Sequence, residues 1–276
     1  MRQMRIALVQ MQSKFADIEG NLAKIGQFAG EASRRGVDII CYPELCLQGY
    51  SHTGAGSYAQ PIPGPAAKQI LNMAQTYGLT MLVGLAEQAE NDKPYIAQLV
   101  AHPDGKWDLY RKTHLGSREK AYFSPGQKLP VFRHKKAVFG LLICWDLHLP
   151  EAATLLSLKG AEIIFAPHAS PMISGNRRRS TWLKYMPARA YDNTVFVASC
   201  NLVGDNGAGR TFCGGTLVVD PKGNVLAESF QKGEHLLVAD LQPQPINAIR
   251  YGKTGSMRSR FYLDARRPEL YTDLLR

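Results

Sequence analysis

Short apolar runs alternate with amphipathic stretches almost from end to end of the chain. The runs at 5–10, 38–42, 80–86, 95–101, 107–111, 137–143, 162–166, 194–200, 213–220 and 235–240 are rich in Val, Ile, Leu and Phe and predict strands. Some are continuous rather than alternating, as strands covered on both faces are. Over 20–35, Leu22, Ile25, Phe28, Ala29 and Ala32 recur at helical spacing, and Gly36 supplies a stop. Over 65–77, Pro65 takes a first-turn position, Ile70, Leu71 and Ala74 form a buried stripe, and Gly78 ends the helix. Pro150 opens a third helix over 150–159, closed by Gly160. Ser180 or Thr181 is expected to cap a fourth, which Pro187 kinks or restarts. Asp220-Pro221-Lys222-Gly223 reads as the turn of a hairpin over 213–240. No internal repeat or linker interrupts the pattern. It predicts a layered α/β protein with a mixed sheet, one domain over 1–276, and a tail over 255–276.

Composition narrows the function. The longest apolar run, 138–145, is far short of the roughly 20 residues that cross a bilayer. The first ten residues carry positive charge but no long apolar stretch, so they read as a strand rather than a secretory signal. Five cysteines, an odd number with no Cys-x-x-Cys pair, argue against a disulfide framework or a zinc ribbon. A reducing, cytoplasmic location is expected. The formal net charge is +10, from 33 basic and 23 acidic residues. The basic residues are scattered, with small clusters at 133–136, 177–179 and 256–267. Nucleic-acid binding needs them gathered on one face with aromatic residues between them. A solvated basic surface is the expectation.

Four places break the apolar pattern with chemistry. Three follow the end of a predicted strand, where open α/β sheets tend to place their sites. The strand 37–41 runs into Tyr42-Pro43-Glu44, and a carboxylate on the lip of an apolar strand is a candidate general base with a raised pKa. Lys112 lies in Tyr110-Arg111-Lys112-Thr113-His114-Leu115, where an ammonium in a site stabilises an oxyanion and a neighbouring thiolate. Glu119 lies in the loop 116–126. Cys144 sits between a strand and the helix opened by Pro150, an elbow that exposes a thiol near a helix N-terminus and makes a nucleophile. Cys41, Cys200 and Cys213 lie inside strands and read as small buried hydrophobes.

Taken together, these pieces resemble the nitrilase superfamily of carbon–nitrogen hydrolases. The resemblance rests on 4–10, Tyr42-Pro43-Glu44, 110–115, Tyr122-Phe123-Ser124-Pro125-Gly126 and Ile143-Cys144-Trp145-Asp146. It extends through Pro150-Glu151, Lys159-Gly160-Ala161-Glu162, Ala188-Arg189-Ala190, Asp192-Asn193 and 266–271. The resemblance implies a four-layer α-β-β-α sandwich and subunits that pair into a homo-oligomer, with the C-terminal segment reaching its partner or packing on its own subunit. It implies a Glu-Lys-Cys triad of Glu44, Lys112 and Cys144. The oxyanion then lies between Lys112 and the Trp145 N–H, and Glu119 positions substrate or water. It implies no metal or organic cofactor. Cys144-Trp145-Asp146 differs from the Cys-Trp-Glu of true nitrilases and favours small linear amides or N-carbamoyl compounds. A nitrilase, or a catalytically silent scaffold of the same fold, stays open as an alternative. Leu147 and His148 stand where N-carbamoyl-D-amino-acid hydrolases carry an arginine pair. Pro167-His168-Ala169-Ser170-Pro171 stands where N-carbamoylputrescine hydrolases carry an acidic loop. Tyr50, His168 and Arg179 are candidate substrate-binding residues, the last in an arginine loop, 177–179, that either reaches an acidic substrate or, as basic loop runs usually are, is simply solvated.

Overall fold

The computed structural model describes residues 1–52, 54–90, 93–171, 174–252 and 261–275. The chain opens with β1 (Met4–Gln10), α1 (Ile18–Arg34) and β2 (Ile39–Cys41). A short α2 (Ala55–Tyr58) and α3 (Pro65–Tyr77) lead to the meander β3 (Thr80–Glu87), β4 (Tyr95–Ala101) and β5 (Trp107–Arg111). Then come β6 (Val131–His134), β7 (Ala137–Leu141), α4 (Pro150–Leu158) and β8 (Ile163–His168). Next are α5 (Gly175–Trp182), α6 (Met186–Asn193), β9 (Phe196–Asn201), and the small pair β10 (Val203–Asp205) and β11 (Thr211–Cys213). The last elements are β12 (Thr216–Val219), β13 (Val225–Ser229), β14 (His235–Leu241) and α7 (Gln244–Arg250).

These strands form two six-stranded sheets of matching design. The first runs β14-β1-β2-β3-β4-β5 and the second β13-β12-β9-β8-β7-β6. At the centre of each are three parallel strands, β1-β2-β3 and β7-β8-β9, flanked by antiparallel neighbours. The layering follows from alternation along the strands. Phe139, Phe165, Phe196 and Ala198 face the first sheet and share one core with it. Leu142, Ile164, Ala166, Val197 and Leu217 point the other way, into a core with α4, α6 and Trp182. Helices α1 and α3 pack together on the outer face of the first sheet, with Leu22, Ile25, Ala29, Ile70 and Ala74 buried. The result is the expected α-β-β-α sandwich.

Three predicted elements change. The run 213–220 is interrupted: Gly214 and Gly215 both take positive φ, a bend that divides β11 from β12. The hairpin turn holds at Asp220, whose N–H donates to Asn224 O at 2.8 Å, but the returning strand is β13. The run at 235–241 instead crosses to the first sheet and pairs with β1. The helix near Ser180 begins earlier: Ser174 Oγ accepts from Arg177 N at 3.3 Å and caps α5, and Pro187 then starts α6. Residues 177–179 therefore lie on a helix rather than in a loop. Residues 253–260, which include the start of the tail, and Arg276 lie outside the described residues. The remainder returns to its own chain, where Tyr262 Oη lies 2.9 Å from Tyr191 Oη on α6.

Candidate active site

Glu44, Lys112 and Cys144 leave the C-terminal ends of β2, β5 and β7, and the sandwich turns those ends toward one another. Lys112 is anchored by its own N–H, which donates to Ile96 O at 2.8 Å. Its ammonium then lies buried between two carboxylates. Nζ donates to Glu44 Oε1 at 2.7 Å and to both oxygens of Glu119 at 2.9 Å. All three side chains are almost wholly removed from solvent. Glu44 Oε2 also accepts from Ala169 N, just past β8, at 2.9 Å. Glu119 accepts from Gly116 N at 2.7 Å and from Tyr50 Oη at 2.9 Å. Thus Glu44, Lys112, Glu119 and Tyr50 form one hydrogen-bonded cluster drawn from separate loops.

Close backbone approach makes this possible. A methyl group on Gly84 of β3 would overlap the Pro43 carbonyl and the Leu45 N–H, the two neighbours of Glu44. Leu45 itself takes φ of 51°.

Cys144 begins a 3-10 turn, Cys144–His148, with φ of 48°. For a residue with a side chain this is a strained conformation, the kind that collects at functional sites. The turn presents a half-buried sulfur, 3.2 Å from Ser170 Oγ. Trp145 follows at the start of the turn, where leading N–H groups have no acceptor inside the turn. Its ring is half exposed and tilts onto His148, which in turn packs at a tilt on Tyr185.

Asp146 ties the nucleophile's turn to the lysine's segment. The carboxylate is fully buried and accepts from Tyr110 Oη at 2.7 Å, His114 N at 2.7 Å, Thr113 Oγ1 at 2.9 Å and Ile143 N at 3.0 Å. Sequence reasoning used Asp146 only to choose between branches and missed this role. Ala169 and Ser170 were also missed as contacts of Glu44 and Cys144. Their position just after a central parallel strand was the available signal.

The electrostatics follow from burial. Burial pushes the Glu44 carboxyl up to about 7, and Glu119 adds to the shift, against the pull of Lys112. Burial works to lower the Lys112 pKa, but Glu44, the Cys144 sulfur and Glu119 outweigh it and raise it. Burial and the carboxylate of Glu44 push the Cys144 thiol up to about 12, with Lys112 and Ser170 opposing.

The other candidates lie apart from this cluster. His168 is buried, donates Nδ1–H to Ala166 O at 2.7 Å and packs on Trp182; burial holds its pKa well below the ordinary value. Arg179 is bound by Glu228 of β13 at 2.9 Å, and Arg178 is buried with Nη2 on Ser170 O.

The family model for carbon-nitrogen hydrolases matches residues 5–251. The chain belongs to the carbon-nitrogen hydrolase family. This hydrolase is 33% identical to the N-carbamoylputrescine amidase of Solanum lycopersicum, over 94% of this chain and 91% of that protein. It is 30% identical to an (R)-stereoselective amidase of Pseudomonas sp., over 86% of this chain and 85% of the other. Among solved structures it superposes with a TM-score of 0.84 and 28% identity on a mutant amidase from Nesterenkonia sp. AN1. That match covers 98% of this chain and 97% of the other. The amidase carries the acetamide moiety of fluoroacetamide, covalently added at its active-site cysteine.

Proposed function

We propose that this carbon-nitrogen hydrolase cleaves small linear amides or N-carbamoyl compounds, with Cys144 as nucleophile and Glu44 as its general base. The observation that carries the reading is the buried ammonium of Lys112 held between Glu44 and Glu119, beside a thiol on a strained elbow. The thiol is neutral at rest, since its pKa is pushed up to about 12. Glu44, poised at about 7, takes its proton as sulfur attacks the substrate carbonyl carbon. The C–S bond forms and the carbonyl π pair moves to oxygen, stabilised by the Lys112 ammonium and the Trp145 N–H. Collapse breaks the C–N bond. Ammonia or an amine leaves with the proton from Glu44, and a thioester remains. Glu44 then deprotonates water, which attacks the thioester, and the acid departs as the thiol is restored. Glu119, fixed by Lys112, Tyr50 and Gly116, positions substrate or water.

The chain acts as one catalytic unit in the cytoplasm and assembles as a homo-oligomer. Support for assembly comes from an exposed apolar face, Leu155 and Leu158 of α4 with Tyr191 of α6. The test of activity is ammonia release from short aliphatic amides, ω-amides of dicarboxylic acids, N-carbamoyl amino acids and amines, and the matching nitriles, with Cys144→Ala as control. Release from an amide or carbamoyl class that vanishes in the variant supports the proposal. Release that survives Cys144→Ala removes it.

A further inference from the structure

Outside Glu119 and Tyr50 lies a cavity of about 710 Å³, a size suited to a small ligand. Its described lining includes His52, Arg118, Tyr122, Pro171 and Arg210, and among the described lining residues none is acidic. The cavity borders the shell around the catalytic cluster: His52 of its lining reaches Glu119 through Tyr50, and Pro171 follows Ser170, whose hydroxyl lies 3.2 Å from the Cys144 sulfur. Neither Arg118 nor Arg210 has an ion-pair partner among the described residues, although both act electrostatically on His52.

Arg210 is also wired to the active site. Its Nη2 donates to His52 Nδ1 at 2.9 Å, and a guanidinium can only donate. His52 Nδ1 is therefore the lone-pair side, and the neutral ring carries its proton on Nε2. That proton is donated to Tyr50 Oη at 2.9 Å, and Tyr50 in turn donates to Glu119 Oε1 at 2.9 Å. Burial, and then Arg210, lower the His52 pKa, which keeps the ring neutral and the chain intact. The guanidinium is held at a fixed place while its remaining N–H groups stay available, the geometry that a carboxylate fits with two parallel hydrogen bonds.

We propose that this cavity is a carboxylate subsite, in which Arg118 and Arg210 seat the acid end of a linear amide whose carbonyl lies over Cys144. The inference rests on the amidase reading above and narrows it to acidic substrates. It transfers to Arg118 and Arg210 the task that the sequence suggested for 177–179, where Arg179 is already occupied by Glu228. Two substrate types share this chemistry, the ω-monoamide of a dicarboxylic acid and an N-carbamoyl amino acid.

The experiment compares kcat/KM for glutaric acid monoamide against pentanamide, and for N-carbamoyl-β-alanine against propylurea, using the full-length enzyme. One acidic member is expected to exceed its neutral counterpart by about tenfold or more, the worth of a charge-assisted pair. The favoured pair identifies the substrate type. Arg118→Gln and Arg210→Gln are each expected to erase most of that preference through KM, whereas Arg118→Lys retains much of it. KM for the acidic member alone should rise with salt. Neutral substrates turned over as well as acidic ones, or a preference unchanged in both glutamine variants, would overturn the subsite and leave the amidase reading standing. Should no amide be turned over, the same question is read from glutarate protection of Cys144 against iodoacetamide. A reactive but unprotected Cys144 overturns the subsite; an unreactive Cys144 overturns the amidase reading and the subsite with it.

Discussion

Burial and charge pull on Glu44 in opposite directions, and burial prevails, which leaves its carboxyl at about 7. The base must be ionised to accept a proton, so kcat/KM should fall as pH drops through about 7, on a limb of unit slope that a pH–rate profile will show. Stability runs the other way. Between the ordinary glutamate pKa and 7 the native state binds more protons than the unfolded chain, so this group's contribution declines as pH rises across that window. Glu44→Gln keeps an acceptor for Lys112 but cannot ionise. Its melting temperature relative to the wild type should therefore rise from pH 5 to pH 8 while turnover is lost. A constant difference in melting temperature would show that Glu44 is not the titrating group. Asp146 ties the two segments together, its carboxylate meeting Tyr110, Thr113, the N–H and ring of His114, and the Ile143 N–H. Asp146→Asn turns an amide NH₂ toward those donors. It should cost about 2–4 kcal/mol in denaturant unfolding and lower kcat more than it changes KM. Glu44, Lys112 and Cys144 could be read in the sequence because each sits where an apolar run stops, whereas Glu119, in a polar loop, was marked only by the resemblance. The hydrogen bonds to Ala169 and Ser170 were missed: a position just after a parallel strand marks a segment near the site, but it does not say that Ala169 N–H meets a carboxylate 125 residues earlier or that Ser170 meets the thiol.

At the scale of elements, the central strands were legible because double coverage makes them continuous apolar runs. The edges of the second sheet were not. β6 is Val-Phe-Arg-His and β13 is largely solvent-facing, so neither stands out from a loop. The place of β14 was hidden for another reason, because strand pairing depends on the partner and β1 lies at the far end of the chain. The junction of β3 with the Glu44 turn is a sharp test of element packing. Gly84→Ala puts a methyl group against the Pro43 backbone, which cannot yield as a flexible side chain would. Expected results are a stability loss of about 1–3 kcal/mol and a larger fall in kcat than Ala substitution at Gly26 of α1, where a Cβ meets only the end of the Met73 side chain at 3.5 Å. Comparable activity in the two variants would mean that the Glu44 turn tolerates displacement.

The whole molecule presents a second apolar surface besides its core. Leu155 and Leu158 on α4 and Tyr191 on α6 stand exposed on the outer helical layer. If this face joins subunits, Leu158→Arg should shift the species seen by light scattering toward the monomer with the far-UV spectrum unchanged. An unshifted mass would place the contact elsewhere.

The two sheets divide the catalytic groups between them. Glu44, Lys112 and Glu119 hang from the first, while Cys144 and the Ala169 N–H belong to the second. Activity is therefore a coincidence detector for the docking of two half-molecules. A half that reached native secondary structure alone would be inert, so hydrolysis of a non-native amide would await the docking of its counterpart. During refolding, recovery of turnover should trail recovery of the far-UV signal, and the interval between them measures the time the two faces take to find their register.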